Sequence, residues 1–209
     1  MSDNIVFVKR YENDEQLFPI NEKEIWRYSG FSGVPDQENE ELLNLLKTVI
    51  GDFENRFSYN VCYRVLPLTW ENNLPKLPFD ANSSDLARLL DGCDEVVIFA
   101  ATIGLATDKY IKRFQRTETT KALLAQAYGT ERTERLCNVF CKEFSNSLAS
   151  KNRTCTKRFS PGYGDLPLSL QKDFFLLLDC NRQIGISLND SLLMTPTKSV
   201  TAIFGVKTL

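Results

Sequence analysis

Two neighbouring segments near the start of the chain have different hydrophobic periods. Between residues 38 and 57, apolar side chains recur at steps of three and four, which predicts a helix with one buried stripe: Leu42, Leu46, Val49, Phe53 and Phe57. Between residues 60 and 70, Val61, Tyr63 and Val65 alternate with other side chains, as in a strand with one buried face. Pro75 and Pro78 then indicate a loop.

Two later segments predict the main strands of a sheet. Residues 94–102 contain a continuous apolar run, which is typical of a strand covered on both faces, so we expect this strand at the centre of the sheet. Residues 199–206 alternate instead, and their apolar members share one face: Val200, Ala202, Phe204 and Val206. Residues 5–8 predict a short additional strand, and residues 184–194 contain further strand-like pieces.

The second half of the chain also predicts helices. One spans residues 106–114, and another begins near residues 117–120 and continues to about residue 150, with a kink or break expected at Gly129. After Pro167, the spacing of four apolar residues predicts a compact amphipathic helix: Leu170, Phe174, Leu177 and Leu178. Helices and strands do not alternate regularly, so the class is α+β rather than doubly wound α/β.

Length and composition indicate an ordinary globular protein. The 209 residues are 43% hydrophobic, which is enough for one sizeable core. We interpret residues 1–35 as an N-terminal arm packed on that core and residues 36–209 as a single domain. The net charge of −2 gives no field that would favour nucleic acid or an anionic membrane. The apolar runs are too short to span a bilayer and Asp3 is atypical of a signal peptide, so we expect a cytoplasmic protein.

Histidine is absent and the cysteines are scattered. Without histidine, this chain supplies no histidine general base, no Ser/His or Cys/His nucleophile system and no histidine ligand for a metal or for corrinoid cobalt. The six cysteines show no C-x-x-C spacing. Cys137 and Cys141 would share one helix face, where they could hold a soft metal or pack in the core. Core packing is the preferred interpretation because no second cysteine pair accompanies them.

The most distinctive stretch is the loop from Arg158 to Gly164. Pro161 restricts its backbone, and Gly162 and Gly164 permit left-handed conformations that can bring peptide N–H groups close to a ligand. Four cations lie within residues 151–158, a density that attracts anions. Each of these two features has a simpler alternative. For the loop, it is a surface turn with a solvated arginine. For the four cations, it is that they complement the C-terminal dipole of the preceding helix.

Three motifs in order give this region a family resemblance. The loop reads R-F-S-P-G-Y from Arg158 to Tyr163, a helix follows, and residues 194–200 read M-T-P-T-K-S-V. This order resembles the activation domain of cobalamin-dependent methionine synthase, in which R-x-x-P-G-Y and a helix precede M-x-P-x-x-S-V. Upstream stretches such as residues 90–93 and 100–104 resemble short free-standing relatives of that domain. The resemblance implies a mainly antiparallel sheet flanked by helices.

The resemblance also implies a function and a site. Such a domain binds S-adenosylmethionine and caps a cobalamin domain, so that cob(II)alamin, reduced by flavodoxin or a flavoprotein, is methylated again. By this resemblance Arg158 binds the carboxylate of S-adenosylmethionine, Ser160 and Gly162 bring backbone groups to it, and Tyr163 lies between it and the corrin. The chain would then be a non-catalytic accessory subunit that docks on a separate cobalamin-binding protein. It would supply no metal ligand and no catalytic residue of its own.

Parts of the family pattern have no counterpart in this sequence. The tandem tyrosines expected after the strand of Phe204 and the aspartate of an N-terminal aspartate-tryptophan motif are not found. Asn138 and Lys142 occupy positions where the full domain has acidic side chains. Two alternatives therefore remain. One is a corrinoid-protein-binding module without S-adenosylmethionine. The other is an unrelated small-molecule-binding protein or enzyme on the same fold, with three candidate carboxylates: Asp108, Glu134 and Asp165.

Overall fold

A computed structural model describes residues 5–31, 39–72 and 74–208. In these ranges the helices are α1 (Glu22–Tyr28), α2 (Glu40–Asp52), α3 (Ser84–Leu90), α4 (Ala106–Phe114), α5 (Thr119–Leu148), α6 (Gln171–Leu178) and α7 (Cys180–Ile184). The strands are β1 (Phe7–Tyr11), β2 (Tyr59–Pro67), β3 (Thr69–Glu71), β4 (Leu74–Lys76), β5 (Glu95–Thr102), β6 (Arg153–Cys155), β7 (Ser187–Leu188), β8 (Met194–Thr195) and β9 (Ser199–Thr208).

The main sheet has five strands in the order β1-β2-β5-β9-β6, and every neighbouring pair is antiparallel. The apolar strand β5 is therefore central, as its sequence predicts. Its residues alternate between two cores: Val97, Phe99 and Ala101 face one side, while Val96, Ile98 and Ala100 face the other. Helices α1, α2, α4 and α5 cover the first side, and α3, α6 and α7 cover the second. The predicted α+β class is confirmed.

Helix α2 differs from its predicted extent, and helix α5 differs from the expected interruption. Helix α2 ends at Asp52 rather than at residue 57, and Asn55 adopts a left-handed φ of 55°. Phe53 and Phe57 remain buried nonetheless, because the turn keeps their rings stacked with centroids 5.0 Å apart. Helix α5 has the predicted extent and is continuous through Gly129, so a break there is wrong and a kink stays a prediction.

The N-terminal segment contributes to both the sheet and the core. Strand β1 pairs with β2, and Trp26 of α1 is fully buried in the core beneath α5. The buried Arg132 of α5 donates to the carbonyl oxygens of Phe18 at 2.7 Å and Pro19 at 2.9 Å. The domain boundary predicted at residue 35 lies outside the described residues, so the division into an arm and a domain stays a prediction.

Membrane and metal features can be assessed for the described ranges. No helix there is long and apolar enough to cross a membrane, and no group of three or more potential metal-ligating side chains occurs there. All six cysteines are free thiols. Cys137 lies in the core, where burial raises the pKa of its thiol to about 12.

Candidate functional site

The loop from Arg158 to Gly164 leaves β6 and follows the edge of β9. Phe159 and Ile203 exchange two backbone hydrogen bonds of 2.8 Å, which attach the start of the loop to that strand. Gly162 has a φ of +92°, a region that favours glycine, and its N–H donates to the carbonyl of Leu166 at 2.9 Å. The glycine therefore lets the chain turn back on itself directly after the strand.

The far end of the loop is attached to the N-terminus of α3. The carboxylate of Asp165 accepts hydrogen bonds from the hydroxyl of Ser83 and from both the N–H and the hydroxyl of Ser84, the last two at 2.7 Å. Gly164 packs closely here, because a Cβ at this position would lie 2.4 Å from an oxygen of Asp85. These contacts hold both ends of the loop on regular structure.

A pocket of about 380 Å³ opens beside this loop. Arg158, Ser160 and Tyr163 line it, whereas Gly162 lies outside the lining and shapes the turn. Other parts of the chain contribute Glu134, Gln171, Met194, Ser199, Val200 and Thr201. The pocket thus brings together the R-x-x-P-G-Y loop, helices α5 and α6, and the start of β9, which are distant in sequence.

Arg158 is held by α5 and retains a free nitrogen. One terminal nitrogen, Nη2, donates to the carboxylate of Glu134. The other, Nη1, is buried and has no hydrogen-bond partner among the described residues. Burial opposes the charge, but Cys137 and Glu134 outweigh it and raise the pKa of Arg158 above its usual value. The guanidinium therefore stays charged, and one of its nitrogens is unpaired within the described residues.

Gln171 and Thr201 are pocket residues that the sequence did not reveal as candidates. Oε1 of Gln171 and Oγ1 of Thr201 are buried, and neither has a partner in the described part of the chain. An unsatisfied buried polar atom costs about 1–3 kcal/mol, so such atoms require an explanation. A polar residue on the buried face of a periodic segment is the signal that could have identified both: Gln171 precedes Phe174 by one helical turn, and Thr201 lies between the buried Ser199 and Ile203.

The main chain of β9 is open on the pocket side. Ile203 directs its N–H and its carbonyl toward Phe159, away from β5. Because residues two apart in an antiparallel strand point their backbone groups to the same edge, Thr201 directs its own N–H and carbonyl toward the pocket. Strand β6 pairs only farther along, beginning opposite Val206. The pocket therefore combines side-chain groups with an open strand edge.

Three exposed apolar side chains belong to the pocket lining or to residues next to the pocket segments. Tyr163 is 69% exposed, and Leu193, the neighbour of the lining residue Met194, is 64% exposed. Leu168, which lies against Gly162, is 43% exposed. Exposed apolar groups clustered beside a pocket are typical of an interaction surface. We call Tyr163, Leu168 and Leu193 the exposed apolar residues.

The remaining candidate groups have local partners. Asp108 accepts from the N–H of Thr197 at 3.1 Å, and Asp165 caps α3, so neither lines the pocket. Among the four predicted cations of residues 151–158, Arg153 is paired with Asp94 and Glu95 at the start of β5. Only Glu134 of the three candidate carboxylates lines the pocket.

A larger cavity of about 510 Å³ lies at the start of α4 and is bordered by Arg56, Lys109 and Arg113. None of the described residues that line it has a buried polar atom without a partner. Its cations are exposed, as expected of a solvated face. The smaller Arg158 pocket is therefore the better candidate site, because three of its described lining residues have a buried polar atom without a partner: Arg158, Gln171 and Thr201.

Comparison with known proteins assigns the family of this chain. A family model, the activation domain of vitamin B12 dependent methionine synthase, matches residues 84–208, which is more than half of the chain. The chain belongs to this family. The family predicted from the three motifs is thereby confirmed, and residues 84–208 include the whole Arg158 pocket.

A solved structure supports the same fold. The crystal structure of the MetH reactivation domain bound to AdoHcy aligns with a TM-score of 0.73 at 15% identity, and the match covers 96% of this chain and 78% of that one. At this identity the likeness concerns the fold, which extends to the N-terminal region ahead of the family match. No curated protein sequence matches the chain at a significant level.

Proposed function

We propose that this chain binds S-adenosylmethionine in the Arg158 pocket and assists the reductive reactivation of cobalamin on a separate protein. The observation that carries the proposal is Arg158, which lines the pocket in a chain of this family and whose buried Nη1 has no partner among the described residues. The structural neighbour is solved with AdoHcy, the product of methyl transfer from S-adenosylmethionine. A pocket of about 380 Å³ also falls within the roughly 300–1,000 Å³ usual for small-molecule sites.

The residues present fit one end of this cosubstrate. A guanidinium with a free nitrogen suits a carboxylate, because charge-assisted hydrogen bonds to arginine are among the strongest in proteins. Gly162 lets the loop bring its backbone to the pocket, and Ser160 lines the wall. Tyr163, being largely exposed at the mouth, would contact both the cosubstrate and the corrin of the partner.

The chemistry itself belongs to the cofactors. The cobalamin of the partner would supply the methyl-accepting cobalt, a flavodoxin or flavoprotein would supply one electron, and S-adenosylmethionine would supply the methyl group and leave as S-adenosylhomocysteine. The chain has no histidine, so any histidine ligand to cobalt would come from the partner. In this proposal the chain orients the methyl donor and covers the corrin face as an accessory subunit. It would act in the cytoplasm with those partners.

A second candidate is docking without S-adenosylmethionine. The exposed apolar residues, Tyr163, Leu168 and Leu193, are exposed whether or not a ligand is bound. This exposure favours a partner surface with or without S-adenosylmethionine. In that function the Arg158–Glu134 pair would simply hold the loop on α5. The two candidates differ in whether the isolated chain binds S-adenosylmethionine.

Calorimetric titration with S-adenosylmethionine tests the first candidate. We expect saturable binding by the wild type and at least a tenfold loss in Arg158→Ala, which corresponds to about 1.4 kcal/mol for the lost charged contact. Lys157→Ala is the matched control, because Lys157 is an exposed neighbouring cation outside the pocket lining. Absence of both heat and saturation with the wild type, supported by equilibrium dialysis, would reject the cosubstrate role.

Co-purification with a cobalamin-binding chain tests the partner. We expect a complex that is weakened by Tyr163→Ala, because the exposed ring is placed to contact the partner. Leu176→Ala is a control on a separate surface, since Leu176 is 82% exposed on α6 and lies outside the pocket lining. A complex with unchanged affinity in Tyr163→Ala would contradict the proposed orientation.

A further inference from the structure

We propose that Gln171 and Thr201 are specificity residues that recognise the α-ammonium group of a ligand whose carboxylate is bound by Arg158. The inference rests on the proposed function and adds two side chains that the sequence motifs do not include. It offers an explanation for two residues that line the same pocket as Arg158 and each carry a buried oxygen without a partner among the described residues.

The burial of these groups argues for a ligand. Gln171 is only 6% exposed and Thr201 only 2% exposed, yet Oε1 of the first and Oγ1 of the second lack partners among the described residues. Buried side-chain oxygens in folded proteins are almost always hydrogen-bonded. A pocket that leaves two of them unpaired therefore gains from a ligand that supplies hydrogen-bond donors.

The chemical types of the three free groups are complementary to a zwitterion. The terminal nitrogen of Arg158 can only donate, which suits a carboxylate. An amide oxygen can only accept and a hydroxyl can accept, which suits the three donors of an ammonium group. A carboxylate could not bind to the amide oxygen, and an ammonium could not bind to the guanidinium. The two kinds of site therefore orient an α-amino acid end in one direction.

Two neighbouring groups reinforce this preference. Glu134 lines the same pocket, and its carboxylate gives that wall a negative charge beside Arg158. The outward-facing carbonyl of Thr201 offers a further acceptor at the open edge of β9. Both features favour a cationic group over a neutral one of similar size.

The supporting structure makes these side chains rigid. Gln171 opens α6, and Phe174, one turn later, is fully buried in the second core. Thr201 pairs with Ala100 of the central strand. Groups fixed in this way lose little conformational entropy on binding, which is the requirement for a selective site.

The experiment compares two ligands that differ only in the amino group. S-adenosylhomocysteine and its deaminated analogue, 5′-deoxy-5′-(3-carboxypropylthio)adenosine, are titrated into the wild type, Gln171→Met, Thr201→Val and the double variant. We expect the wild type to prefer the amino ligand at least tenfold and the double variant to bind both ligands within about threefold of each other. Gln183→Met, a glutamine on α7 outside the pocket, should retain the wild-type preference.

The outcomes separate this inference from the proposed function. If the wild type binds S-adenosylhomocysteine and the variants keep its preference, the pocket oxygens bind water only and the inference is wrong, while the proposed function stands. If the wild type binds neither ligand nor S-adenosylmethionine, both are wrong. Thermal unfolding without ligand checks folding. The two substitutions remove unpaired buried oxygens with little change of shape, so the melting temperature should not fall.

Discussion

Arg158 and Glu134 form an ion pair that joins the R-x-x-P-G-Y loop to the middle of α5. In the pair, Nη2 of the guanidinium donates to Glu134, while the buried Nη1 has no partner among the described residues. It also places a carboxylate in the pocket wall. This single contact therefore sets both the position and the charge pattern of the candidate site.

A double-mutant cycle should find only modest coupling in this pair. The Arg158 side chain is 24% exposed and that of Glu134 is 39% exposed, so solvent screens their attraction. We expect a coupling free energy of about 0.5–1 kcal/mol from urea unfolding of the wild type, Arg158→Met, Glu134→Gln and the double variant. The coupling should decrease in 1 M salt. A coupling that is unchanged by salt would contradict a screened ion pair.

Asp165 should stabilise the loop only above acidic pH. Hydrogen bonds from Ser83 and Ser84 lower the pKa of Asp165 to about 2, below its value of roughly 3.9 in the unfolded chain. A lowered folded pKa contributes stability above the unfolded value, and this contribution is lost as pH falls toward 2. The difference in unfolding free energy between the wild type and Asp165→Asn should therefore be constant near neutrality and shrink between pH 4 and pH 2.

Acid titration of Asp190→Asn provides the control for Asp165, because Asp190 is an exposed aspartate between β7 and β8. The difference in unfolding free energy between the wild type and Asp190→Asn should not follow the pH profile expected for Asp165→Asn. A difference for Asp165→Asn that stays constant down to pH 2 would show that the carboxylate does not cap α3 in solution. Chemical unfolding followed by far-ultraviolet circular dichroism at each pH measures both variants.

The spacing of apolar residues predicted those strands and helices whose buried face is recognisable within one short segment. The apolar run of residues 94–102 identified the central strand, and the predicted helix at residues 106–114 has the bounds of α4. In both cases neighbouring side chains carry the whole signal. The pocket depends instead on distant partners, and nothing near Arg158 in the sequence indicates that it meets Glu134. The loop motif could therefore be found from sequence. Gln171 and Thr201 carry a local signal of burial, but no sequence rule indicates that they line the same pocket as Arg158.

Gly129 illustrates the same limit. A glycine inside a helical pattern suggests a break when only helix propensity is considered. In the fold, a Cβ at Gly129 would lie 2.8 Å from Oγ1 of the fully buried Thr107 and 3.2 Å from Cε of Lys198. The glycine permits close contact between α5 and two other segments, which no local rule can foresee.

Gly129→Ala should therefore destabilise the protein although alanine favours helices. The methyl group would overpack the contact with Thr107, at a cost of about 1–3 kcal/mol that exceeds the propensity gain. Gly51→Ala in α2 is the matched control, since nothing lies within 4 Å of its added Cβ. That variant should be stabilised by up to about 1 kcal/mol. Urea unfolding measures both, and equal effects of the two substitutions would contradict the packing explanation.

Lys198 should make stability depend on pH in the alkaline range. The residue is only 7% exposed, and its ammonium donates to Oγ1 of Thr130 at 2.8 Å. Burial lowers the pKa of Lys198 to about 8, although the nearby Asp108 opposes the shift. Between pH 8 and about 10.4 the unfolded chain keeps a proton that the folded chain has lost, so this residue's contribution to stability rises with pH. Buried cysteines and tyrosines act in the opposite direction, since burial raises their pKa values.

The informative quantity is therefore the unfolding free energy of the wild type minus that of Lys198→Met. It should increase by more than about 1 kcal/mol from pH 7.5 to pH 10.5, whereas Lys47→Met, on the exposed face of α2, should give a flat difference. A flat difference for Lys198→Met as well would mean that the amine is hydrated and not buried between α4 and α5.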